Sequence, residues 1–301
     1  MISYGCHNTA TSKPQKKIQI TIFISILSAV IITLYDRLEE FDVRIVVKIG
    51  TSTLTHPSGH LNIRRVEELC KVTSDIKNAG HEVILVSSGA IGMGVGKLGL
   101  RFRPTDIPTK QAAAAVGQCE LMYTYDKLFS EYNHTVAQLL ITGDDVKNET
   151  RHNNFSNTIN RLLELDALPI INENDTVATD EIVIGDNDTL AAKVAETVRA
   201  DLLILLSDID GLYTADPKKD PTAVLIPQVD TITEDILALA GGAGSDLGSG
   251  GMATKLRAAK IAMDAGIDMI ITNGENPEIL YDIFDGKAVG TKFLGKSEVT
   301  V

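Results

Sequence analysis

Two lysines stand next to glycine-rich turns, where an ammonium group and exposed backbone amides could bind a phosphate together. Lys48 lies near the end of an apolar run, residues 43–49, and Gly50-Thr51-Ser52 follows it. Lys255 lies in the first turn of a predicted helix, directly after the glycines of residues 248–251. Helix N-termini attract anions, and a lysine can stabilise a phosphoryl group during transfer. These two positions therefore predict phosphate chemistry.

Each lysine, taken alone, has a simpler explanation. A lysine at a strand end can extend along the strand and keep its ammonium group in water. A flexible loop before an ordinary helix would account for Lys255 as well. The two lysines together, each beside a glycine turn, favour phosphate binding over either simple explanation.

A group of short carboxylate and amide side chains occupies residues 172–188, which read NENDTVATDEIVIGDND. A predicted strand, residues 168–171, precedes the group, and ligands of α/β proteins collect at the carboxyl ends of strands. Asp186-Asn187-Asp188 resembles a DxD magnesium site. No histidine or cysteine cluster accompanies it, and Mg²⁺ in a nucleotide enzyme is held largely by phosphates and water. We therefore favour recognition of a ligand's ammonium group over direct metal binding.

Three other stretches are weaker indications of a nucleotide site. Ser87-Ser88-Gly89 follows a predicted strand and suits close approach of the backbone to a ligand. Residues 94–99 match GxGxxG, but Pro104 and Pro108 follow them where a dinucleotide fingerprint would open a helix, so we expect a flexible substrate loop. We expect no Walker A motif either, because Gly96-Lys97 lacks the upstream glycine and the following Ser or Thr. Residues 207–217 either contact ribose or adenine or form a tight surface turn.

From residue 43 onward, apolar strands alternate with amphipathic helices. This alternation predicts a mainly parallel sheet covered on both faces. The loop at residues 215–217 is the expected seam between two lobes. The predicted strands are residues 43–49, 82–86, 135–141, 168–171, 201–206, 225–229 and 268–271. The predicted helices are one between Asn62 and Gly80, residues 111–129, 154–165 and 189–200, one from near Thr233, and residues 252–265 and 277–284.

The composition excludes several classes of protein. The chain has 301 residues, is 44% hydrophobic and carries a net charge of −12. This size allows one large or two small domains, and the acidic balance argues against a nucleic-acid-binding protein. Cys6, Cys70 and Cys119 lie far apart, so we expect neither a zinc site nor a disulfide framework.

Eight stretches together resemble the glutamate 5-kinase family of the amino acid kinase superfamily. They occur in family order over residues 43–293, and NEND with GDND is specific to the glutamate-using branch. The stretches are VVKIGTSTLT, VSSGAI, AAVGQ, INENDTVAT, GDNDTL, SDIDGLYTADP, GSGGMATK and VGTKF.

The resemblance implies a three-layer α/β/α sandwich with a mainly parallel central sheet. The implied reaction uses ATP with Mg²⁺ to phosphorylate the γ-carboxylate of L-glutamate, the first step of proline biosynthesis. Lys48 and Lys255 would stabilise the transferring phosphoryl group, and Asp188 would orient both lysines. The residues that would hold glutamate are Ser88, Asp175 and Asn187, with Asn172 supporting the pocket. The residues that would bind ATP are Lys48, Ser207, Asp208, Ser249, Gly250, Gly251, Met252, Ala253, Thr254 and Lys255.

The same resemblance predicts one kinase domain over residues 41–301. A glutamate-binding lobe would cover about residues 41–200 and an ATP-binding lobe about residues 201–301, as in the short form of the family without a C-terminal PUA domain. Family members also lead us to expect a homo-oligomer, feedback inhibition by proline, and glutamyl phosphate reductase as a downstream partner.

Residues 1–40 have no counterpart in the family pattern. Residues 18–35 form an apolar run preceded by three lysines, which is typical of a short membrane anchor or an uncleaved signal. The positive flank would export the rest of the chain, away from ATP. We therefore favour an over-extended start and a cytoplasmic protein.

Two rival functions stay open at this point. The chain could be another kinase of the superfamily, acting on N-acetylglutamate, aspartate, carbamate or UMP. It could also be a catalytically silent, membrane-anchored amino-acid sensor.

Overall fold

The computed structural model describes residues 43–56, 58, 60–178, 187–240 and 251–296. The N-terminal extension with its apolar run at residues 18–35 lies outside these ranges. Within them, the helices are too short or too polar to span a membrane.

Eight strands of the described chain form one sheet. They are β1 (Arg44–Ile49), β2 (Glu82–Ser87), β3 (Val136–Ile141), β4 (Leu168–Glu173), β5 (Leu202–Ser207), β6 (Gln228–Val229), β7 (Asp268–Asn273) and β8 (Thr291–Phe293). Their order is β3-β4-β2-β1-β5-β7-β8-β6. All neighbours are parallel except β7 and β8. The central strands are almost continuous apolar runs because both of their faces are buried.

Helices in the same ranges fill the connections between the strands. They are α1 (Thr51–Leu54), α2 (Ile63–Asn78), α3 (Ala90–Lys97), α4 (Ile107–Ser130), α5 (Gly143–Lys147), α6 (Glu149–Glu164), α7 (Asn187–Val198), α8 (Glu234–Leu239), α9 (Met252–Asp264) and α10 (Ile279–Phe284).

One face of the sheet is covered by α6, α7 and α9. Phe155 of α6, Ala191 of α7 and Leu256 of α9 share one buried core with Val46 and Leu205 of the central strands. Since side chains alternate along a strand, Lys48 projects from the same face as Val46, toward α7 and α9.

The opposite face is covered by α2, which packs against β2, α4 and α10. Ile45 and Val47, which alternate with Val46 along β1, are buried there, and so are Leu69 and Cys70 of α2. The two helical layers confirm the expected α/β/α sandwich with a mainly parallel sheet.

The parallel direction of the central strands brings their carboxyl ends to one edge of the sheet. Ile49, Ser87, Glu173 and Ser207 end β1, β2, β4 and β5 respectively. Lys48, Ser88, Asn172 and Asp208, all singled out for chemistry, each lie within one residue of these ends, so this edge is the place for a site.

The flexible loop expected over residues 94–99 is wrong for most of that stretch, because Ala90–Lys97 forms helix α3. Its glycines serve a helix crossing. A Cβ on Gly94 would lie 1.8 Å from the carbonyl oxygen of Ala113, and a Cβ on Gly117 would lie 1.8 Å from that of Ala90. Helices α3 and α4 therefore approach so closely that only glycine fits at the crossing.

Two helices begin earlier than the sequence pattern predicts. Helix α4 begins at Ile107 and not near residue 111, since Asp106 caps it and Pro108 suits its first turn. Helix α6 begins at Glu149 and not near residue 154, since the Asn148 side chain accepts a hydrogen bond from Arg151 N. The short elements α1, α5 and β8 were not predicted.

We expect Gly94→Ala to destabilise the fold by about 1–3 kcal/mol, because the added methyl group overpacks the α3–α4 crossing. Urea unfolding of the purified protein would measure the change in free energy of unfolding.

Gly92→Ala is the matched control on the same helix. Its added Cβ would lie 3.6 Å from Cγ2 of Thr51, an ordinary contact, and it should gain up to about 1 kcal/mol of helix propensity. Equal stability of the two variants would contradict the proposed close crossing.

Candidate active site

Asp188 lies between two buried lysines at the carboxyl edge of the sheet. Lys48 Nζ is 2.7 Å from Asp188 Oδ1, and Lys255 Nζ is 3.0 Å from Asp188 Oδ2. The Thr254 hydroxyl also donates to Oδ2, at 2.9 Å. The exposed fractions of Lys48, Asp188 and Lys255 are only 8%, 1% and 3%. The structure thus brings these three predicted residues into direct contact.

Three separate elements supply this cluster. Lys48 is the fifth residue of β1, the strand that lies between β2 and β5. Asp188 lies in the first turn of α7, where the helix dipole favours a carboxylate. Lys255 lies in the first turn of α9, and α7 packs directly against both α9 and β1.

The charges of the lysines keep Asp188 ionised. Burial by itself raises the pKa of the Asp188 carboxyl, but the charges and hydrogen bonds of Lys48 and Lys255 outweigh burial and lower the pKa to about 2. Two ammonium groups and one carboxylate leave one positive charge in a site that excludes most water. Such a site can bind and stabilise an anion, and Asp188 cannot serve as a proton carrier near neutral pH.

A second cluster, made of uncharged polar groups, begins at the neighbouring residue. Asn187 Nδ2 is 2.9 Å from Ser88 Oγ and 3.0 Å from Asn172 Oδ1. Asn172, only 2% exposed, donates from Nδ2 to Gln118 Oε1 at 2.8 Å. Ser88, Asn172 and Asn187, all predicted site residues, therefore form one hydrogen-bonded group with Gln118.

Gln118 and Tyr125 were not predicted as site residues. Both lie on the buried face of α4, and Tyr125 OH is 2.9 Å from Ser87 Oγ. A signal was present in the sequence, because Gln118 interrupts an apolar stripe that continues through Ala114 and Leu121 at helical spacing.

Asp175 lies in the turn after β4 and is half-buried. It lines a small cavity together with Gln118, Glu173 and Ala90. Gln118 therefore lines the cavity beside Asp175 and also accepts a hydrogen bond from Asn172.

The predicted ATP residues fall at two places on the same edge. Ser207 ends β5 and is buried, and its hydroxyl donates to Oδ1 of the exposed Asp208 at 3.1 Å. Gly251 is the N-cap residue of α9 and, as a glycine, gives that helix no side-chain cap. Met252 and Ala253 in this turn are half-buried, whereas Thr254 is buried. Ser249 and Gly250 lie outside the described residues.

The described ranges contain no group of three or more histidine, cysteine, aspartate or glutamate side chains that could hold a metal ion. Asp186, the other carboxylate of the DxD pattern, lies outside those ranges, and both oxygens of Asp188 contact lysines.

The sequence of this chain matches a family model and several curated proteins. A sequence model described as "Amino acid kinase family" matches residues 43–273. A curated protein named "Glutamate 5-kinase" from Clostridium tetani is 57% identical over 83% of this chain and 93% of the relative. Proteins of the same name from Clostridium perfringens and Listeria innocua are 56% and 53% identical, over 84% and 85% of this chain and 96% and 94% of the relatives.

Solved structures share the architecture at much lower identity. The UMP kinase from Ureaplasma parvum has a TM-score of 0.58 at 17% identity and covers 84% of this chain and 99% of its own. Carbamate kinase from Giardia lamblia, bound to AMP-PNP, has a TM-score of 0.58 at 18% identity, over 86% and 100% of the two chains. These likenesses concern the fold alone.

The match to the family model spans most of the chain, and the curated relatives are more than half identical along more than four-fifths of it. The chain therefore belongs to the amino acid kinase family, on the branch of the glutamate 5-kinases.

Proposed function

We propose that this protein transfers the γ-phosphoryl group of ATP to the γ-carboxylate of L-glutamate. The products are ADP and L-glutamyl 5-phosphate, and the reaction is the first step of proline biosynthesis. The observation that carries the proposal is the buried Lys48–Asp188–Lys255 cluster with the amide group of Asn187 next to it in the chain. The names and high identity of the curated relatives support it.

The lysine cluster suits phosphoryl transfer. A γ-carboxylate oxygen attacks the γ-phosphorus, and the bond from that phosphorus to the β,γ-bridging oxygen breaks. Charge spreads over the phosphoryl oxygens as this happens, so fixed cations in a water-poor site lower the barrier. Lys48 and Lys255 would provide those cations, and Asp188 would hold them in place by its two oxygens. The acceptor is already a carboxylate, so no general base is needed.

The amide cluster suits the acceptor. Asn187 and Asp188 are consecutive residues, so a ligand held by Asn187 and Ser88 would lie beside the phosphoryl site. Asn172 would support Asn187, and Asp175 would pair with the ammonium group of a free amino acid. This assigns residues of the N-terminal lobe, about 41–200, to glutamate.

The nucleotide would bind across the C-terminal lobe, about residues 201–301. The amides at the start of α9 suit phosphate oxygens, and Ser207 and Asp208 lie at the end of the neighbouring β5. Mg²⁺ would be held mainly by ATP phosphates and water, since that ion usually keeps several waters. When bound, it would neutralise phosphate charge.

Several wider properties complete the proposal. Use of ATP and glutamate suits a cytoplasmic protein. Relatives of this kind lead us to propose a homo-oligomer, inhibition by proline, and glutamyl phosphate reductase as the consumer of the product. A silent sensor would have no need for the buried cluster around Asp188. The UMP and carbamate kinases share the fold at under 20% identity, which favours neither substrate.

The acceptor can be identified by trapping the product. Hydroxylamine converts an acyl phosphate into a hydroxamate, which is measured by its colour with iron(III). We expect hydroxamate with ATP and L-glutamate, and none with N-acetylglutamate, aspartate or UMP in place of glutamate. Absence of hydroxamate at every glutamate concentration would refute the proposed function.

Lys255→Met should lower kcat by about 100- to 1000-fold, because it removes a cation that stabilises the transition state. It leaves the pair between Lys48 and Asp188 in place, so the fold should persist. ADP release would measure the rate, and circular dichroism the fold.

Lys260→Met is the matched control on α9. Lys260 is exposed and pairs only on the surface, with Asp264 at 3.0 Å, so its removal should leave kcat unchanged. A Lys255→Met enzyme as fast as this control would remove Lys255 from the mechanism.

Asp175→Asn should raise the KM for glutamate by about tenfold or more, since a charged hydrogen bond to the ammonium group is lost. The KM for ATP should hardly change. Asp144→Asn, at an exposed carboxylate of α5, is the control, and initial rates at varied glutamate separate the two. Equal glutamate KM values would refute the role of Asp175.

A further inference from the structure

We infer that Gln118 is a positioning residue for the acceptor: it holds Asn172, and Asn172 holds Asn187 against Ser88. The inference rests on the proposed function and adds a residue to it. Gln118 Oε1 accepts from Asn172 Nδ2 at 2.8 Å, and Asn172 Oδ1 accepts from Asn187 Nδ2 at 3.0 Å. Asn187 Nδ2 also reaches Ser88 Oγ at 2.9 Å.

The direction of this hydrogen-bond chain is determined by a backbone amide. Glu173 N–H can only donate, and it donates to Asn172 Oδ1 at 2.9 Å. The oxygen of the Asn172 amide must therefore face Glu173 and Asn187, and its NH₂ group must face Gln118. Only this orientation lets Asn187 donate toward Asn172 and Ser88 at once. Asn187 Nδ2 also lies 3.3 Å from the Ser87 carbonyl oxygen, so Asn172 and the end of β2 position Asn187 together.

Burial makes the acceptor oxygen of Gln118 hard to replace. Asn172 is 2% exposed and Gln118 is 8% exposed, so water has little access to the Asn172 NH₂ group. Without Gln118 Oε1, that NH₂ group would be buried without this acceptor. The flipped orientation of the Asn172 amide would then be close in free energy to the observed one. Asn187 would then lose its acceptor on Asn172 and keep only the Ser88 hydroxyl and the Ser87 carbonyl oxygen, at 3.3 Å.

Helix α4 is well placed to carry such a residue. Gly117, the residue before Gln118, lies at the close crossing with α3. Two turns further along the same face, Tyr125 OH is 2.9 Å from Ser87 Oγ. One rigidly packed helix thus supports both Asn172 and the end of β2, which precedes Ser88.

The effect of Gln118 should appear in acceptor binding and not in the chemical step. The ion pairs that hold Lys48 and Lys255 go to Asp188 and do not pass through Gln118. Loss of the Gln118 acceptor should raise the KM for glutamate about tenfold. The KM for ATP and kcat should change much less.

The test compares Gln118→Met with Gln111→Met, the same change at a half-buried glutamine two turns earlier on α4. Initial rates are measured at varied glutamate and varied ATP, and thermal melts monitor the fold. We expect a raised glutamate KM for Gln118→Met alone.

A double-mutant cycle with Asn172→Ala tests whether Gln118 acts through Asn172. If it does, adding Gln118→Met to Asn172→Ala changes the glutamate KM little further. Additive effects, or equal effects of the Gln118 and Gln111 variants, would overturn the inference. If Gln118→Met does not fold, Gln118→Asn replaces it, because its shorter side chain cannot reach Asn172 and should raise the glutamate KM in the same way.

Failure of this inference is distinguishable from failure of the proposed function. A wild-type protein that forms no hydroxamate from glutamate would refute the function itself. A wild-type protein that does so, with an unchanged KM in Gln118→Met, would refute only the role of Gln118.

Discussion

Two buried ammonium groups can lie close together only if an anion lies between them. Asp188 is that anion, and each of its oxygens contacts a different lysine. Removing a charge from water is costly, so such a cluster contributes little to stability unless its geometry is satisfied throughout. Its value lies in function, because it holds one net positive charge in a place with little water. The surrounding fold must therefore bring both lysines to the two oxygens of Asp188.

The architecture follows from that requirement. A strand end and two helix starts have to converge on one point, and they do so where β1 runs between β2 and β5 with α7 and α9 packed on one face. Alternation along β1 directs Lys48 to that face, while its apolar neighbours complete the core. The hydrogen-bonded group of Ser88, Asn172, Asn187 and Gln118 consists of amides and a hydroxyl, so it lies beside the lysine cluster without changing its net charge. Gln118 of α4 contacts Asn172 in this group, and α4 is the helix that crosses α3 closely at Gly117.

Much of the fold could be predicted, because the central strands are nearly continuous apolar runs, which burial on both faces of a parallel sheet requires. The failures have physical causes. Helix α3 contains Gly92, Gly94 and Gly96, and local composition of that kind indicates a loop. Gly94 is there because the backbone of α4 passes too close for a Cβ, and no local pattern reports that contact. The start of α4 was missed because Asp106 and Pro108 are residue types that can begin a helix as well as interrupt one.

By itself, the sequence determined the residue types of the candidate site and their association with strand ends and helix starts. Lys48 and Lys255 could be singled out in this way, since each stands beside a glycine turn, and Lys48 also lies near the end of an apolar run, where a charge requires a partner. The role of Asp188 between the two lysines was implied by the family resemblance. Only the tertiary structure decided which oxygen meets which lysine, and that Gln118 joins Asn172 across 54 residues of chain. Periodicity reports the face on which a side chain lies. The partner that it meets depends on how distant elements pack. A hydrogen bond between two elements forms only if their packing sets the donor–acceptor distance to within tenths of an ångström.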